Sequence, residues 1–475
     1  MPLRHNRNIR KSTKMKDSYT HKHRTPLCTP SARLIKISFC LLMLGAAPFA
    51  AIGAEGEASL TLQQVFDLAL RQDAEYEAGM HGAGAQRADG WEKIAGYGPT
   101  LSLTGSYGRH HDKFKPDAES ELESSEAHYN EKDLTLSFEQ PIFDGVKAAA
   151  FQQGRNDLKL AELQLKTSYD DLYLRIASAY YEALSTKESL RIAGKQTSAI
   201  KGQLQNAIDL LSQGSGTITD QYEAESRYRL SAAAEISRDT EWKNARTELA
   251  KMIGGATPSL EDTVPHYDFK PLIHDKKYWL SVADSHNTDL MTKRLQLAAA
   301  EHTYTSNQSR FLPSLSLYAD LDKNEPDGGL AGYGEDRTEF EVGVLLRLSL
   351  LEGGSDVAAT TAAYRRVKEA DALLRSSQQD VGSSLEALYD NINDTANLIE
   401  AYARAAKASR LAMESTEAAY LEGVKALPDV LDRQQEYYES LGQYHRAQYS
   451  YMILLAKFER VAGVKIAEGN ESESK

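Results

Sequence analysis

Apolar residues in this chain follow two different periods, and the switches between them mark out its elements. From Gly145 to Ser212 there is no proline, and apolar or small residues return every seven positions. One series is Leu165, Leu172, Ala179, Thr186, Ala193, Ile200 and Ala207; its partner is Tyr169, Ile176, Ala183, Leu190, Thr197, Leu204 and Leu211. A 3.5-residue repeat sustained that long predicts a coiled-coil seam, on a helix of roughly 66 residues and about 100 Å. Adding 209 to the second series lands on Gln378, Leu385, Ile392, Ile399, Ala406, Met413 and Tyr420, so the register returns in a second long helix. The many Ala and Thr at these positions predict close helix approach without a thick core.

Four shorter stretches alternate with period two. Leu101, Leu103, Gly105 and Tyr107 oppose Ser102, Thr104 and Ser106; Leu134, Leu136 and Phe138 oppose Thr135, Ser137 and Glu139. Leu315, Leu317, Ala319 and Leu321 oppose Ser316, Tyr318 and Asp320, and Phe340, Val342, Val344, Leu346 and Leu348 oppose Glu341 and Arg347. Each predicted strand is about 9–11 residues, the length that crosses a bilayer. The strands of each pair are separated by acidic loops rich in Gly, Pro and Ser, at Asp112 to Lys132 and Asp322 to Thr338.

The pattern is written twice. Gly98-Pro99-Thr100-Leu101 returns as Leu312-Pro313-Ser314-Leu315, offset by 214, and Phe143-Asp144-Gly145 as Leu351-Glu352-Gly353, offset by 208. Gly214, with Asp220 after it, returns as Gly423 with Asp429, offset by 209. Residues 55–258 and 276–463 therefore read as two repeats of helix, strand, strand, long helix, short helix, joined by a linker at 259–275. The shorter helices are expected at Thr61 to Tyr97, Thr219 to Ile253, Lys276 to Phe311 and Asp429 to Val461. Thr61 with Gln64 is a capping-box pattern. In each half the two short helices, stacked end to end, match the long one in length.

This is a mainly α chain with a small β part. Four strands cannot close a barrel, and open edges are not tolerated in lipid. Three chains related by a cyclic axis would supply twelve strands with one repeated interface. A homotrimer with a twelve-strand barrel and an α-helical tunnel follows as the expected architecture.

Charge changes the picture at the N-terminus. Residues 1–54 carry a basic leader, the apolar run Ile37 to Ala51 and a small-residue exit, which predicts a secretory signal peptide. At about 15 residues the run is short of the ~20 that span a bilayer. Its removal takes ten of 55 Lys/Arg and one of 68 Asp/Glu, leaving a formal net charge of −22 rather than −13. Cys28 and Cys40, the only cysteines, leave with it, so no disulfide contributes to stability. So acidic a surface repels polyanions, which excludes nucleic acid as a partner. Beyond the leader no segment has 18 consecutive apolar residues, so membrane entry has to be by a closed β-barrel. The acidic tail, 464–475, is expected to be disordered.

Catalytic motifs are missing. There is no Walker loop, no Gly-x-Ser-x-Gly elbow and no His-Glu-x-x-His; Gly82-Ala83-Gly84 and Gly332-Tyr333-Gly334 lack a third glycine. His110 and His111 sit at a strand end near the loop; a metal site there would need further ligands at suitable spacing, and they read as solvated. The tyrosines and tryptophans of the helices read as packing residues. Neither enzyme activity, cofactor nor metal is expected. A surface adhesive or structural trimeric coiled coil remains as the alternative, although adhesins place their membrane strands once, at the C-terminus.

With these elements in order, the chain resembles the TolC family of outer-membrane efflux and secretion channels over essentially its whole length beyond the leader. The Gly145 and Gly353 turns, the Pro99 and Pro313 strand entries, and the duplicated unit carry the resemblance, with Leu60-Thr61-Leu62 and Asn287-Thr288-Asp289-Leu290 as weaker motifs. It implies an outer-membrane duct reaching into the periplasm, embedded in outer-membrane lipid and working with a periplasmic adaptor protein and an inner-membrane pump or ABC transporter. The turns after the long helices are similar to the family's inner tips. The resemblance maps an acidic pair at the narrowest point onto Asp429 and Asp432, where three-fold symmetry would gather cation-attracting carboxylates. It maps a closing latch onto Thr219, Asp220, Tyr420 and Lys425; lysine there lacks the forked pairing of the arginine found in the family's best-known member. It implies adaptor docking on Gly214, Ser215, Gly216, Gly423 and Val424.

Overall fold

A computed structural model describes residues 59–115, 125–255, 257–261, 267, 269–329 and 334–466. The expected signal peptide, the tail beyond Ile466 and the middles of both strand-connecting loops lie outside these residues.

The described elements run α1 (Leu62–Gln72), α2 (Ala74–Ala95), β1 (Thr100–Phe114), β2 (Ser125–Phe143), α3 (Gly145–Ser212) and α4 (Ile218–Met252). They continue as α5 (Lys276–His286), α6 (Thr288–Ser309), β3 (Ser314–Pro326), β4 (Arg337–Arg347), α7 (Ser355–Leu421) and α8 (Leu427–Ala462). The long helices α3 and α7 have 68 and 67 residues. Ten of the expected seam positions are buried, Leu172, Ile176, Ala183, Thr197, Ile200 and Ala207 on α3 and Leu385, Ile392, Ile399 and Ala406 on α7, whereas Leu165, Tyr169 and Gln378 are exposed and the others half-buried.

Two of the shorter helices differ from expectation, because each is interrupted once. Asp73 ends α1 through its N–H to the Ala69 carbonyl (2.8 Å) and opens α2 by accepting from the Tyr76 N–H (2.7 Å). Asn287 does the same between α5 and α6, donating from its N–H to Ala283 (2.9 Å) and accepting from the Leu290 N–H (2.9 Å). A side-chain oxygen that caps a new helix competes with continuing the old one, so an Asx residue breaks a run whose apolar spacing carries straight through. Both breaks are tied to a neighbour. Arg175 on α3 donates to both carboxylate oxygens of Asp73 (2.8 and 3.3 Å), and the Asn287 amide donates to the Val461 carbonyl on α8 (2.8 Å).

Helix neighbours form a single layer. On the strand side of the breaks the order is α2, α3, α6, α7; on the other side it is α4, α3, α8, α7. Where α2 crosses α3, Gly90 and Gly154 meet so closely that a Cβ on Gly154 would lie 2.5 Å from the Gly90 carbonyl oxygen. Only glycine permits that crossing. Two apolar clusters gather at the breaks. One joins Val65, Phe66 and Ala69 to Leu172, Ile176, Tyr180 and Leu249; the other joins Trp279 and Ala283 to Leu385, Ile392, Tyr451 and Phe458.

The strands form one antiparallel sheet in the order β1-β2-β3-β4. Its register sets Leu103, Leu136, Leu321 and Phe340 in one row and Leu101, Phe138, Ala319 and Val342 in the next. Those rows share one face, and most of it is exposed: Leu101, Leu103, Phe340 and Leu346 each keep at least 66% of their surface. The opposite face is polar, with Ser106 donating to Asp133 (2.9 Å) and Thr135 to Asp322 (2.6 Å). β1 and β2 run further than expected, into the loop read from Asp112 to Lys132. Polar cross-strand pairs extend the ladder there, where apolar alternation has already stopped: Lys113 meets Glu126 (2.8 Å) and Tyr129 donates to Asp112 (2.8 Å).

Candidate functional site

At the end of the helical layer away from the sheet, α3 turns into α4 and α7 into α8. Gly214 and Gly423 both have φ +77°, the left-handed conformation in which glycine lacks the Cβ penalty. The turns share a hydrogen-bond pattern: the Gly214 and Gly423 N–H groups reach Leu211 and Tyr420 (3.0 and 2.9 Å), and those of Ser215 and Val424 reach Leu210 and Ala419 (3.0 and 2.9 Å). Beyond the turns the caps differ. Thr217 accepts from the Asp220 N–H (3.1 Å) to open α4. Ala426 has no such oxygen, and α8 opens instead with Pro428 in its first turn and the Ala426 N–H on the Asp429 carboxylate (3.4 Å).

A small cluster supports both tips: Ile200, Ala207, Ala224, Leu427 and Leu431 are buried, with Leu204, Tyr228 and Tyr420 packed against them. The glycines, Ser215 and Val424 stand at the end, and Val424 and Leu421 keep 74% and 77% of their surface.

The polar residues expected to act together sort differently. Lys425 lies 3.7 Å from Asp429 one turn along its own tip, and the Thr217 hydroxyl donates to Asp220 (2.7 Å). Tyr420 stands near Asp220, and burial, reinforced by that carboxylate, pushes its phenol above the usual tyrosine range. Thr219 is exposed on α4. Asp432, exposed at 65%, is held by Arg227 of α4 at 2.9 Å. The same guanidinium donates to Gln435 (2.9 Å) and Glu223 (3.0 Å). Among the described residues, then, Arg227 is a polar tie between α4 and α8 beside the tips.

The model of the family described as outer membrane efflux protein matches residues 65–255 and 279–464, most of the chain. The chain belongs to the outer membrane efflux protein family. Relatives agree. The chain is 26% identical over 414 residues to the alkaline protease secretion protein AprF of Pseudomonas aeruginosa, covering 86% of this chain and 85% of AprF. It is 24% identical over 404 residues to outer membrane protein TolC of Vibrio cholerae, covering 84% and 87%. In fold it is similar to the crystal structure of the outer membrane protein VceC from Vibrio cholerae, with a TM-score of 0.72 at 16% identity, over 85% of this chain and 96% of VceC.

This outer membrane efflux protein is thus a TolC-like channel protein of the outer membrane that extends into the periplasm, as its sequence led us to expect. No helix among its described residues is long and apolar enough to cross a membrane. The sheet carries a continuous exposed apolar face, with Leu101, Leu103, Phe340 and Leu346 among its residues. In the sequence Arg227 is marked only by its position seven residues after Asp220, and nothing local points from it to α8.

Proposed function

We propose that three copies of this chain form a passive exit duct, a twelve-strand barrel in the outer membrane continued by an α-helical tunnel across the periplasm. One observation carries the reading: a four-stranded sheet that is apolar and exposed on one face, polar on the other, and unpaired along β1 and β4. Lipid against the apolar face, water against the polar one and a neighbouring copy at each edge would satisfy all three conditions. The helical layer has the same requirement, with α2 and α4 at one margin and α7 at the other.

At the tips, Asp429 and Asp432 of each copy would line a cation-preferring constriction. Thr219, Asp220, Tyr420 and Lys425 would hold it shut, and Gly214, Ser215, Gly216, Gly423 and Val424 would receive a periplasmic adaptor coupled to an inner-membrane transporter. The 50% and 65% exposure of the Asp429 and Asp432 side chains supports this, as do the uncovered apolar side chains of Leu421 and Val424. The transporter supplies the energy, and the duct performs no chemistry. The likeness to AprF, an alkaline protease secretion protein, favours secretion of a protein over drug efflux as the duct's task.

Microscopy of the detergent-purified particle, combined with planar-bilayer recording, tests the reading. A hollow threefold particle passing cations in preference to anions is expected. A monomeric species, or one with a solid centre, would refute it.

A further inference from the structure

The β1–β2 hairpin continues past the last apolar residues of the sheet, and its outward row changes character. Residues two apart on a strand share a face, so the row of Leu101, Leu103 and Tyr107 continues through Arg109 to His111 and Lys113. The facing row on β2 runs from Phe138, Leu136 and Leu134 through Lys132 and Asn130 to His128 and Glu126. His111 and His128 are direct cross-strand partners, as are Lys113 and Glu126. His111 stands four positions beyond Tyr107, about 14 Å further along the strand, and Lys113 two positions beyond that.

Here three ligand types converge. His111 Nδ1 lies 2.9 Å from Nδ1 and 3.2 Å from Nε2 of His128. Glu126 Oε1 lies 3.3 Å from His111 Nε2 and 3.9 Å from His128 Nε2. One donor atom from each residue can be chosen so that all three lie within 4.8 Å of one another. The edge of a tetrahedron with metal–nitrogen bonds of about 2.0–2.1 Å is roughly 3.3 Å, so small side-chain rotations suffice to enclose an ion. Lys113 holds the other carboxylate oxygen, Oε2, at 2.8 Å, leaving Oε1 toward the imidazoles. His110, next in sequence, is on the opposite face beside Glu131 (3.1 Å) and takes no part.

We propose that His111, His128 and Glu126 form a divalent-metal site on the outward face of this hairpin, selective for a borderline ion such as zinc, nickel or copper(II). Two imidazoles with one carboxylate suit those ions rather than calcium or magnesium, which take oxygen ligands. The three side chains are exposed and supply only three ligands, so water completes the shell. The ammonium of Lys113 opposes the incoming charge and keeps the affinity moderate. An ion there would pin the two strands together beyond the end of the apolar face. The sequence alone gave His111 no partners, because Glu126 and His128 lie on the far side of a connecting loop.

The test uses the full tag-free chain in detergent, titrated calorimetrically with zinc. One ion per chain is expected, with affinity at least about tenfold weaker in His111→Ala and in His128→Ala. His110→Ala should bind as the parent does, and Lys113→Met more tightly. Copper(II) on the parent should show hyperfine coupling to two imidazole nitrogens by electron paramagnetic resonance, and on His128→Gln to one. Circular dichroism of each variant checks that it is folded. The proposal is overturned if the parent binds no zinc, if His110→Ala weakens binding as much as His111→Ala, or if calcium displaces zinc at equal concentration. The site needs only the β1–β2 hairpin, so its failure would leave threefold assembly and conductance unchanged.

Discussion

At the level of the helix breaks α3 buries Leu172, Ile176, Tyr180 and Ala183 in a cluster that also draws in Val65, Phe66 and Leu249. Near the tips the same helix buries Ile200 and Ala207 in a cluster completed by Ala224, Leu427 and Leu431. Full burial of a large apolar side chain is worth roughly 1.5–3 kcal/mol, so the belt at the breaks carries several times the apolar stabilisation of the tip. What the tip has instead is polar: Arg227 on Asp432, Lys425 near Asp429 and Thr217 on Asp220. Exposed pairs of that kind contribute at most about 1 kcal/mol each and weaken in salt. A layer fixed at mid-height and only lightly fastened at its end can rearrange the end without loosening the rest. A gate requires that separation.

Substitutions should divide along the same line. Ile392→Ala empties a fully buried belt position and should cost about 2–5 kcal/mol, read as a large fall in the thermal midpoint of the helical signal. Asp73→Ala removes a cap and leaves Arg175 without its buried partner, for about 2–3 kcal/mol; Asp73→Asn should recover the capping share. Arg227→Ala should change stability by less than about 1 kcal/mol yet raise open-state occupancy in planar bilayers. A midpoint shift matching that of Ile392→Ala would erase the distinction between belt and tip.

The smallest effect is expected at His445, which lies between the two levels. Burial holds its pKa below the ordinary histidine value despite Glu188 at 3.4 Å, with Arg191 and Lys195 also opposing its charge. Its folded pKa is the lower one, so the unfolded chain binds the proton more readily. Stability should therefore decline as pH falls through and below the usual histidine pKa. In His445→Gln that part of the slope should vanish; an unchanged slope would mean the imidazole is not the responsible group.

The helices were readable from the chain because heptad spacing reports burial directly, and Ile392 and Ile399 fell where the period put them. The breaks at Asp73 and Asn287 were not, since a single capping side chain overrides a periodicity that continues unbroken on both sides. Strand positions are visible for as long as apolar and polar residues alternate; the outer part of β1 and β2 is mostly polar on both faces and reads as loop. At the tips, spacing located Asp429 and Asp432, but the partner of Asp432 belongs to α4. No local pattern near residue 432 points 205 positions back to Arg227.

Phe143 and Leu315 are neighbours across β2 and β3 although 172 positions separate them. During synthesis and export, the first hairpin therefore emerges long before the strand that covers its inner edge exists. Long-range pairing of this kind slows folding, and until it occurs both edges of the hairpin can pair with any other extended chain. The hazard is greatest while a chain is half delivered, and a factor that shields β2 over that interval would raise the yield of assembled particles more than any change to the finished fold.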